Sequence, residues 1–549
     1  MQQGDPCGPL LFSLGIHPLL RQLSALDINV RFYLDDGILY GKPESLAEAL
    51  DLINAFGVKT NLVLNVSKCQ LWDPWSFCAM TSSAALKAVR RVPSEFGLTV
   101  LGVPIGSDQF VTSQLQQFCE SYSRALKQLE EFPNLQLGLQ LLRVSMGVCR
   151  GVHLLHTLQL EFCQALAANL SNALQNTLSN LLDVDFSQAA WTLASFSFRN
   201  GGMGLQDPIA IQPAAYISSR VSALQAGENL QVRADLISTP LTLHSYLKDF
   251  PAVVAWIQQG GNISSQQIQN DWSKQHWWAA QAEVIALHRW EEARSYREKR
   301  CRQLFSVPHA SDWLRVVPNG DPKTHLSNTQ VKALVKFRLA MPQAGLVPPC
   351  PGCHEQQDQF GDHALSCVQM GRYARHNDIR ETLRNISQHC GLHVHAGEAP
   401  PLPSGRRPDL LIDRLGQGRP LAIDVSCSHP LHHSSYTAEN DATASIAKVV
   451  EQKSTIDLQE CGSKGWAFAP LVALTTGQWS SNAAGVIRRL ATWGVAQYGE
   501  ATAVATVMFA RLGLALQQSC SHQLVRAFTA EEPNTSAAGK NSEYPIYLY

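Results

Sequence analysis

The chain contains 549 residues, of which 45% are hydrophobic and 16% are charged. A chain of this length is too long for one compact domain, and its apolar content is high enough to bury several cores. Composition therefore excludes a wholly disordered protein and a fibrous one. The 44 Lys and Arg residues nearly balance the 45 Asp and Glu residues, so the net charge of −1 indicates no particular class of partner.

The cysteines and the apolar segments indicate a cellular compartment. Most of the 14 cysteines are scattered singly, as in reduced proteins where a thiol acts as a small core residue. The N-terminal residues lack the basic start and apolar run of a secretory signal, and no segment reaches the roughly 18 apolar residues that a membrane span needs. We therefore expect a reduced, intracellular, soluble protein without a transmembrane segment.

The first 110 residues alternate between helical and strand-like patterns. Helical periodicity covers Pro9–Leu23 and Leu46–Phe56. Strand-like runs lie at Val30–Leu34, Ile38–Gly41, Leu62–Leu64 and Leu98–Val103. These elements predict a mixed α/β region.

The segment VRFYLDDGILYG joins two of these runs at Asp35, Asp36 and Gly37. Asp and Gly tolerate positive φ, so their sequence between apolar runs predicts a β-hairpin. One interpretation is an ordinary turn. The other is that two adjacent carboxylates at a hairpin tip form part of a Mg²⁺ site that supports nucleotidyl transfer, because this ion prefers hard oxygen ligands.

Residues 111–345 are mainly helical in pattern, with a glycine cluster at Arg199–Leu205 that permits a tight turn. Within this region, residues 288–305 predict one helix that carries six basic and three acidic residues. Four of its arginines could share one face: Arg289, Arg294, Arg297 and Arg300. A solvated face with ion pairs and a phosphate-binding surface both fit this pattern.

A group of cysteine and histidine residues follows a Pro- and Gly-rich boundary. Cys350 and Cys353 are separated by two residues, and His363 and Cys367 lie one helical turn apart farther along. Two thiolates in a turn, with a later His and Cys, can complete a tetrahedron, so we predict Zn²⁺ bound by these four residues. Reduced structural cysteines are the alternative, and His354 is a rival ligand.

Residues beyond 370 predict a second α/β unit that ends near residue 525. It begins with a helix at Arg375, His376 and Asn377 and continues with strand-like runs. Asp409 precedes one run and Asp424 ends the next, so adjacent strands would bring together two carboxylates, as a Mg²⁺-dependent phosphodiesterase requires. Aspartates that serve only as turn formers at strand ends are the alternative.

Two further groups could complete this predicted site. Glu398 follows an earlier strand-like run and is a candidate third acid. Lys453 falls on the apolar stripe of a later helix, where an anion would favour it, whereas Lys448 points away. A lysine that extends outward to solvent is the alternative for Lys453.

The approach to these carboxylates is locally basic. From Gly371 to Pro420 there are eight arginines and five acidic residues. Arg406 and Arg407 lie beside Asp409, where a DNA backbone would have to approach. We therefore predict salt-sensitive DNA binding through these two arginines.

Four ordered motifs lie within the first 110 residues: QQGDPCGPLLFSLGIHPLL, FYLDDG, an Asn-x-x-Lys pattern ending at Lys68, and TVLGVPIG. Together they resemble the palm of a non-LTR retrotransposon reverse transcriptase. The resemblance implies that Asp35 and Asp36 are paired metal ligands and that Lys68 lies near the departing pyrophosphate. It also implies a place beside the template and the incoming nucleotide for three N-terminal residues: Gln3, Gly4 and Pro6.

The resemblance begins inside the reverse transcriptase domain. Two-metal nucleotidyl transfer needs a further carboxylate, which in that family lies upstream of the residues matched by Gln2–Pro6. The chain starts at Met1, just before them. We therefore expect that it does not polymerise DNA alone.

The later motifs follow one another in a second family order: the Cys and His cluster, Arg375-His376-Asn377, Pro408-Asp409, and Asp424. This order resembles the restriction-like endonuclease at the C-terminus of early-branching non-LTR retrotransposons. The resemblance implies nucleic-acid binding by the Arg-His-Asn segment. The chain departs from that family at Ser426, where a lysine is typical, and at Leu474, where an acid is frequent.

These patterns predict an α/β multidomain protein in five regions: a partial reverse transcriptase palm (1–110), a mainly helical thumb and linker (111–345), a zinc knuckle (346–372), a restriction-like nuclease core (373–525) and a disordered tail (526–549). The expected function is Mg²⁺-dependent DNA nicking for target-primed reverse transcription, in the nucleus, with a DNA target and the element's RNA template as partners. A non-catalytic nucleic-acid-binding remnant and an unfolded-prone pseudogene product are the alternatives.

Overall fold

The computed structural model of the protein describes residues 5–74, 83–230, 274–396, 399–416, 418–431, 444–498 and 500–528. The chain divides into two units, Met1–Tyr122 and Ser123–Tyr549. The predicted knuckle and nuclease regions fall within the second unit, whereas the predicted thumb and linker (111–345) begins in the first unit and continues into the second.

The first unit begins with two helices and a hairpin. These are α1 (Gly8–Leu23), β1 (Ile28–Tyr33), β2 (Asp36–Gly41) and α2 (Pro43–Thr60). Proline at the first position of α2 suits the fixed φ of a helix start, and Asn61 ends the helix in the left-handed region. One apolar cluster joins Leu19 and Leu23 of α1 to Ala49 of α2 and to the hairpin. The predicted helices and hairpin strands are confirmed, with boundaries that differ by several residues.

The remainder of this unit contains β3 (Gln70–Trp72), α3 (Ala84–Ala88), β4 (Arg90–Val92), β5 (Gly97–Val100) and β6 (Val103–Gly106). The single predicted strand over Leu98–Val103 is instead the β5–β6 hairpin, because Leu101 and Gly102 have φ values of 49° and 82° and reverse the chain. The predicted strand at Leu62–Leu64 is wrong, since these residues form neither strand nor helix.

Helices dominate the following region, which crosses the boundary between the units. They are α4 (Asp108–Glu130), α5 (Leu135–Val144), α6 (Val152–Thr157), α7 (Leu160–Leu182), α8 (Gln188–Ser195), α9 (Pro208–Leu230), α10 (Gln275–Glu292), α11 (Tyr296–Phe305) and α12 (Asn328–Arg338). The glycine cluster forms the predicted tight turn. A side chain at Gly201, where φ is +83°, would lie 2.4 Å from the carbonyl oxygen of Arg302.

The predicted single helix over residues 288–305 is wrong. It is broken between α10 and α11 by Ser295, whose hydroxyl accepts from the backbone N–H of Glu298 while the Glu298 carboxylate accepts from Ser295. This capping box starts a new helix. The arginines of residues 288–305 do not form one phosphate-binding face, because Arg300 is buried and Arg297 pairs with Asp362.

The last part of the second unit contains the predicted α/β elements. These are α13 (Asp362–Ser366), α14 (Arg372–His389), β7 (Val394–Ala396), β8 (Leu410–Gly416), β9 (Arg419–Ser428), α15 (Ala444–Ser463), β10 (Ala467–Leu474), α16 (Ser481–Tyr498) and α17 (Ala501–Phe528). Within the described residues, the strands lie in the order β10-β9-β8-β7, with only the β9–β10 pair parallel. A parallel pair needs a crossover, and α15 supplies it.

Helices cover this sheet and bury its apolar side chains. Helix α15 packs on β9 and β10, and α14 packs on β7, β8 and β9. Helix α17 packs against α12, α14 and α16 and is buried along most of its length. It extends to Phe528, so the predicted tail cannot begin at 526, and residues 529–549 lie outside the described part. In the described ranges, no helix combines the length and apolar character needed to cross a bilayer.

Candidate catalytic and metal centres

Strands β8 and β9 bring Asp409 and Asp424 together. Leu410 pairs with Ile423 across the antiparallel strands, so the residue before Leu410 faces the residue after Ile423. The two carboxyl groups are close enough for each to shift the pKa of the other. Their side chains are only 17% and 20% exposed. The two aspartates predicted from strand ends therefore form one partly buried pair.

Each carboxylate of this pair has a partner from a different helix. Nε2 of His376, on α14, lies 3.1 Å from Oδ1 of Asp409, whose Oδ2 accepts a 2.7 Å hydrogen bond from the backbone N–H of Val425. Nζ of Lys453, on α15, donates to Oδ2 of Asp424. The four side chains thus form a row in which the two carboxyl groups lie between a histidine and a lysine.

The pKa values of the two aspartates differ in direction. Burial, together with the neighbouring Asp409, raises the pKa of Asp424 to about 6, although Lys453 acts against the shift. Burial also acts to raise the pKa of Asp409, but hydrogen bonds from His376, Asp424 and the Val425 backbone outweigh it, and the pKa is lowered. Two neighbouring carboxyl groups disfavour each other's ionisation, so a cation beside them would be stabilised.

The helical pattern of α15 determines which lysine reaches this pair. Lys453 is partly buried on the side that faces the sheet, and Lys448 is exposed. This is the arrangement that the apolar stripe predicted. Cys461 of α15 packs with Ala422 and Leu411 of the sheet in the same apolar cluster, so packing fixes the helix that carries the lysine.

The four predicted zinc ligands lie together between α12 and α14. Ligand atoms of Cys350, Cys353, His363 and Cys367 all lie within 4.8 Å of one another. The two sulfurs of Cys350 and Cys367 are 4.0 Å apart, and Sγ of Cys353 is 3.2 Å from Nε2 of His363. Tetrahedral coordination with Zn–S bonds of about 2.3 Å would separate two sulfurs by about 3.8 Å. His354 is exposed and lies outside this group.

Hydrogen bonds hold the chain around these ligands. The carboxylate of Asp358 accepts from the backbone N–H groups of Phe360, Asp362 and His363 at 2.8, 3.1 and 2.7 Å. The side-chain amide of Gln357 donates to carbonyl oxygens of Pro348 and of Ala527 on α17. Hydrogen bonds that do not involve the four metal-binding side chains therefore support the ligand geometry.

The Asp35 and Asp36 hairpin is the third candidate centre. Tyr33 pairs with Asp36, so Leu34 and Asp35 form the two-residue turn. The positive φ, 55°, belongs to Leu34, and the expectation that Asp36 and Gly37 supply it is wrong. Gly37 is needed for space, because a Cβ there would lie 2.6 Å from the ring of Phe32. Both aspartates are exposed.

A family comparison assigns this hairpin region. Residues 1–104 match the family model for reverse transcriptase (RNA-dependent DNA polymerase). The match supports a retroelement protein, and the family acts on nucleic acid and usually uses Mg²⁺. No curated protein matches the chain.

Within residues 1–104, two of the remaining predicted residues are described, and both lie on the surface. Pro6 is exposed just before α1, and Lys68 is exposed at the end of a short 3₁₀ helix, Val66–Lys68. Gln3 and Gly4 lie outside the described residues. The structure thus leaves the Asp35 and Lys68 side chains accessible to a nucleotide, and their predicted roles stay predictions.

The predicted nucleic-acid-binding residues of the second unit differ in their surroundings. Arg375 is buried and donates to the carbonyl oxygen of Leu365 and the side chain of Gln523, which contradicts its predicted contact with nucleic acid. His376 is partly buried and its ring contacts the carboxylate of Asp409, whereas Asn377 is exposed. Only Asn377 of these three remains a surface candidate.

The two arginines beside Asp409 are both exposed at the surface. Arg406 pairs with Asp457 at 2.7 Å, and Arg407 donates to the carbonyl oxygen of Ala399 at 3.0 Å. These contacts hold the two arginines in position, and the exposed parts of their side chains remain accessible to a phosphate. Glu398, the candidate third acid, lies outside the described residues.

The two departures from the endonuclease pattern are also visible. Ser426 is partly buried on the same face of β9 as Asp424, two residues away, and supplies no positive charge there. Leu474, at the end of β10, is fully buried. Lys453 is therefore the cation that contacts the carboxylate pair, in place of a lysine on the strand.

Sequence reasoning missed a buried polar network next to the cysteine cluster. Arg297 donates two hydrogen bonds to Asp362, which also contacts Nε2 of His429 at 3.2 Å, while Nδ1 of His429 lies 2.7 Å from Oγ1 of Thr475. Burial lowers the pKa of His429. The network joins α11 to the ends of β9 and β10, and its members are too far apart in sequence to form a motif.

Proposed function

We propose that the chain is a retrotransposon-derived protein whose second unit is a Mg²⁺-dependent DNA-nicking endonuclease and whose residues 1–104 are the reverse transcriptase part. The observation that carries the proposal is the contact between Asp409 and Asp424 with a histidine on one carboxylate and a lysine on the other. Nicking would expose a 3′-hydroxyl that primes reverse transcription of the element's RNA. Because the substrate is chromosomal DNA, the nucleus is the proposed site of action.

The donor set fits a hard divalent cation. Asp409 and Asp424 offer carboxylate oxygens, which Mg²⁺ prefers, and the pKa of Asp424 stays raised by burial and by Asp409 even though Lys453 offsets part of the shift. A bound Mg²⁺ would supply charge neutralisation at the phosphate and a more acidic water. The two aspartates are the residues that would hold it.

The surrounding side chains would orient the reactants. His376 and the Val425 N–H fix both oxygens of Asp409, so that carboxylate keeps one orientation. Lys453 presents its ammonium at Asp424, where it can orient the attacking water or stabilise negative charge on the phosphate. Attack of that water on phosphorus and departure of the 3′-oxygen leave a 3′-hydroxyl and a 5′-phosphate.

The cysteine and histidine cluster is proposed as a structural Zn²⁺ site. Three thiols and one imidazole converge at near-tetrahedral spacing, and all four positions are filled by protein atoms, which is typical of structural zinc and not of catalytic zinc. The cluster packs on Met370 and on Ala527 and Phe528 of α17. Zinc there would fix the segment that precedes the nuclease core.

A non-catalytic nucleic-acid-binding remnant is the second candidate function. The specific observations that favour it are Leu474 and Ser426, which stand where the resembling endonucleases often have an acid and a lysine. In this case Arg406 and Arg407 would still bind DNA, but the carboxylate pair would not cleave it.

Nicking of supercoiled plasmid by the intact chain in Mg²⁺ distinguishes the two functions. The endonuclease predicts nicking that is lost in Asp409→Asn and strongly reduced in Lys453→Ala, while the exposed control Glu451→Gln on the same helix is unaffected. DNA binding without nicking by the wild type would contradict the endonuclease and support the second function.

A further inference from the structure

A second group of metal-binding side chains lies on the sheet of the second unit. Nδ1 of His393 is 3.1 Å from Oδ2 of Asp413, and Nε2 of His395 is 3.5 Å from Oδ1 of the same carboxylate. One ligand atom from each residue lies within 4.8 Å of the other two. These residues belong to none of the three centres described above.

The strand geometry brings the three side chains to one face. His393 and His395 are two positions apart, so the alternation of a strand directs them to the same side. Val394 pairs with Ile412 on the antiparallel neighbour, and the backbone N–H of Asp413 donates to the carbonyl oxygen of His393 at 3.1 Å. This pairing places Asp413 beside the first histidine, and the rings of the two histidines are 4.3 Å apart.

The chemistry of the group selects the class of ion. Two imidazole nitrogens and one carboxylate oxygen are a borderline ligand set, which suits Zn²⁺ and neighbouring first-row ions better than Mg²⁺. We propose that His393, His395 and Asp413 bind a Zn²⁺-class divalent ion at a three-ligand site. The side chains are 68%, 33% and 40% exposed, so water would occupy the remaining coordination positions.

The ion would link two strands. His395 belongs to β7 and His393 is the residue before this strand, whereas Asp413 belongs to β8. Strand β7 has three residues and lies at the end of the described strand order, where few backbone hydrogen bonds hold it. Coordination across the pair would therefore stabilise the edge of the sheet that carries the carboxylate pair at its centre.

Ion pairs between the histidines and Asp413, without metal, are the competing explanation for the same contacts. The two explanations differ in stoichiometry. The intact chain, stripped with chelator and titrated with Zn²⁺, should bind two equivalents if both this site and the cysteine cluster are sites, and the His393→Gln/His395→Gln double variant should bind one fewer than the wild type. The matched control is His389→Gln, because His389 is exposed on α14 and contacts only the carbonyl oxygen of Asn385 in the hydrogen bonds described.

Titration with Co²⁺ identifies which site is lost. A thiolate-to-cobalt charge-transfer band reports the cysteine cluster, and the double variant should keep this band unchanged while losing one equivalent of bound ion. Asp413→Asn should lose the same equivalent. Equal stoichiometry and affinity in the wild type and the double variant would overturn the proposal, whatever the outcome of the nicking assay or at the cysteine cluster.

Discussion

At the scale of single residues, Asp424 links stability to the proposed chemistry. Its pKa is raised to about 6 by burial and by Asp409. A carboxyl group with a raised pKa in the folded state contributes stability below its ordinary pKa and loses that contribution as the pH rises through about 6. The site is therefore strained at neutral pH until a cation binds, as is common where function and stability compete.

This linkage predicts that metal-free Asp424→Asn is more stable than the wild type at about pH 8, by on the order of 1 kcal/mol. The amide still accepts a hydrogen bond from Lys453 but carries no charge beside Asp409. The difference should shrink as the pH falls below about 5, measured by urea unfolding at both pH values. A difference that is independent of pH would show that the charge of Asp424 is not its cause.

A second residue-scale prediction concerns Arg406 and Arg407. Replacing both with glutamine should weaken DNA binding and lower the slope of log K against log salt by about 1–2, because each arginine contributes about one released counterion at most. Pairing of Arg406 with Asp457 favours the lower value. Arg488→Gln, an exposed arginine on α16, is the control. An unchanged affinity and slope would remove these two residues from the interface.

Sequence spacing predicts some side-chain positions well and others poorly. Asp409 and Asp424 could be placed together because strand ends on adjacent strands are neighbours, and Lys453 could be placed by the helical period. The burial of Arg375 could not be predicted, because an arginine in the polar first turn of a helix is expected to be exposed. The packing of α17 buries it beside Gln523. His376 as the partner of Asp409 has no local signal in the sequence.

At the scale of elements, the cysteine cluster should depend on its metal. Native mass spectrometry should show a tightly held zinc that is removed by strong chelation and lost in Cys367→Ser. Loss of the ion should lower the thermal midpoint, since the ligand cysteines pack with the buried side chains of Ala364, Met370 and Ala527. Cys149→Ser, at an exposed single cysteine, should change neither property. Full zinc content in Cys367→Ser would contradict the assigned ligands.

Element boundaries depend on contacts that periodicity does not report. Helices α1 and α2 could be predicted because their apolar positions repeat, but the predicted range Leu46–Phe56 missed the start of α2 at Pro43 and its end before Asn61. The break at Ser295 depends on reciprocal hydrogen bonds with Glu298, a capping signature embedded in an otherwise helical run. Leu62–Leu64 has strand-like composition but pairs with no strand in the described part of the chain, so β propensity alone gave the wrong assignment.

At the scale of the whole molecule, the two units should differ in activity. In the described residues, no group of three metal-binding side chains includes Asp35 or Asp36. Because two-metal nucleotidyl transfer needs more ligands than this pair, we expect no Mg²⁺-dependent extension of a DNA primer on an RNA template by the intact chain. Extension that disappears in Asp36→Asn would contradict this expectation and show an intact polymerase centre.

The most direct test of the account is the single-turnover rate of plasmid nicking by the intact chain in Mg²⁺, compared with that of Asp424→Asn. A nuclease centre at this pair predicts nicks with a 3′-hydroxyl, formed only in the presence of the metal. It also predicts a decrease of at least about a hundredfold in the variant, which retains the fold but loses one of two metal-binding carboxylates. Nicking by Asp424→Asn at the wild-type rate would show that the carboxylate pair on β8 and β9 is not a nuclease centre.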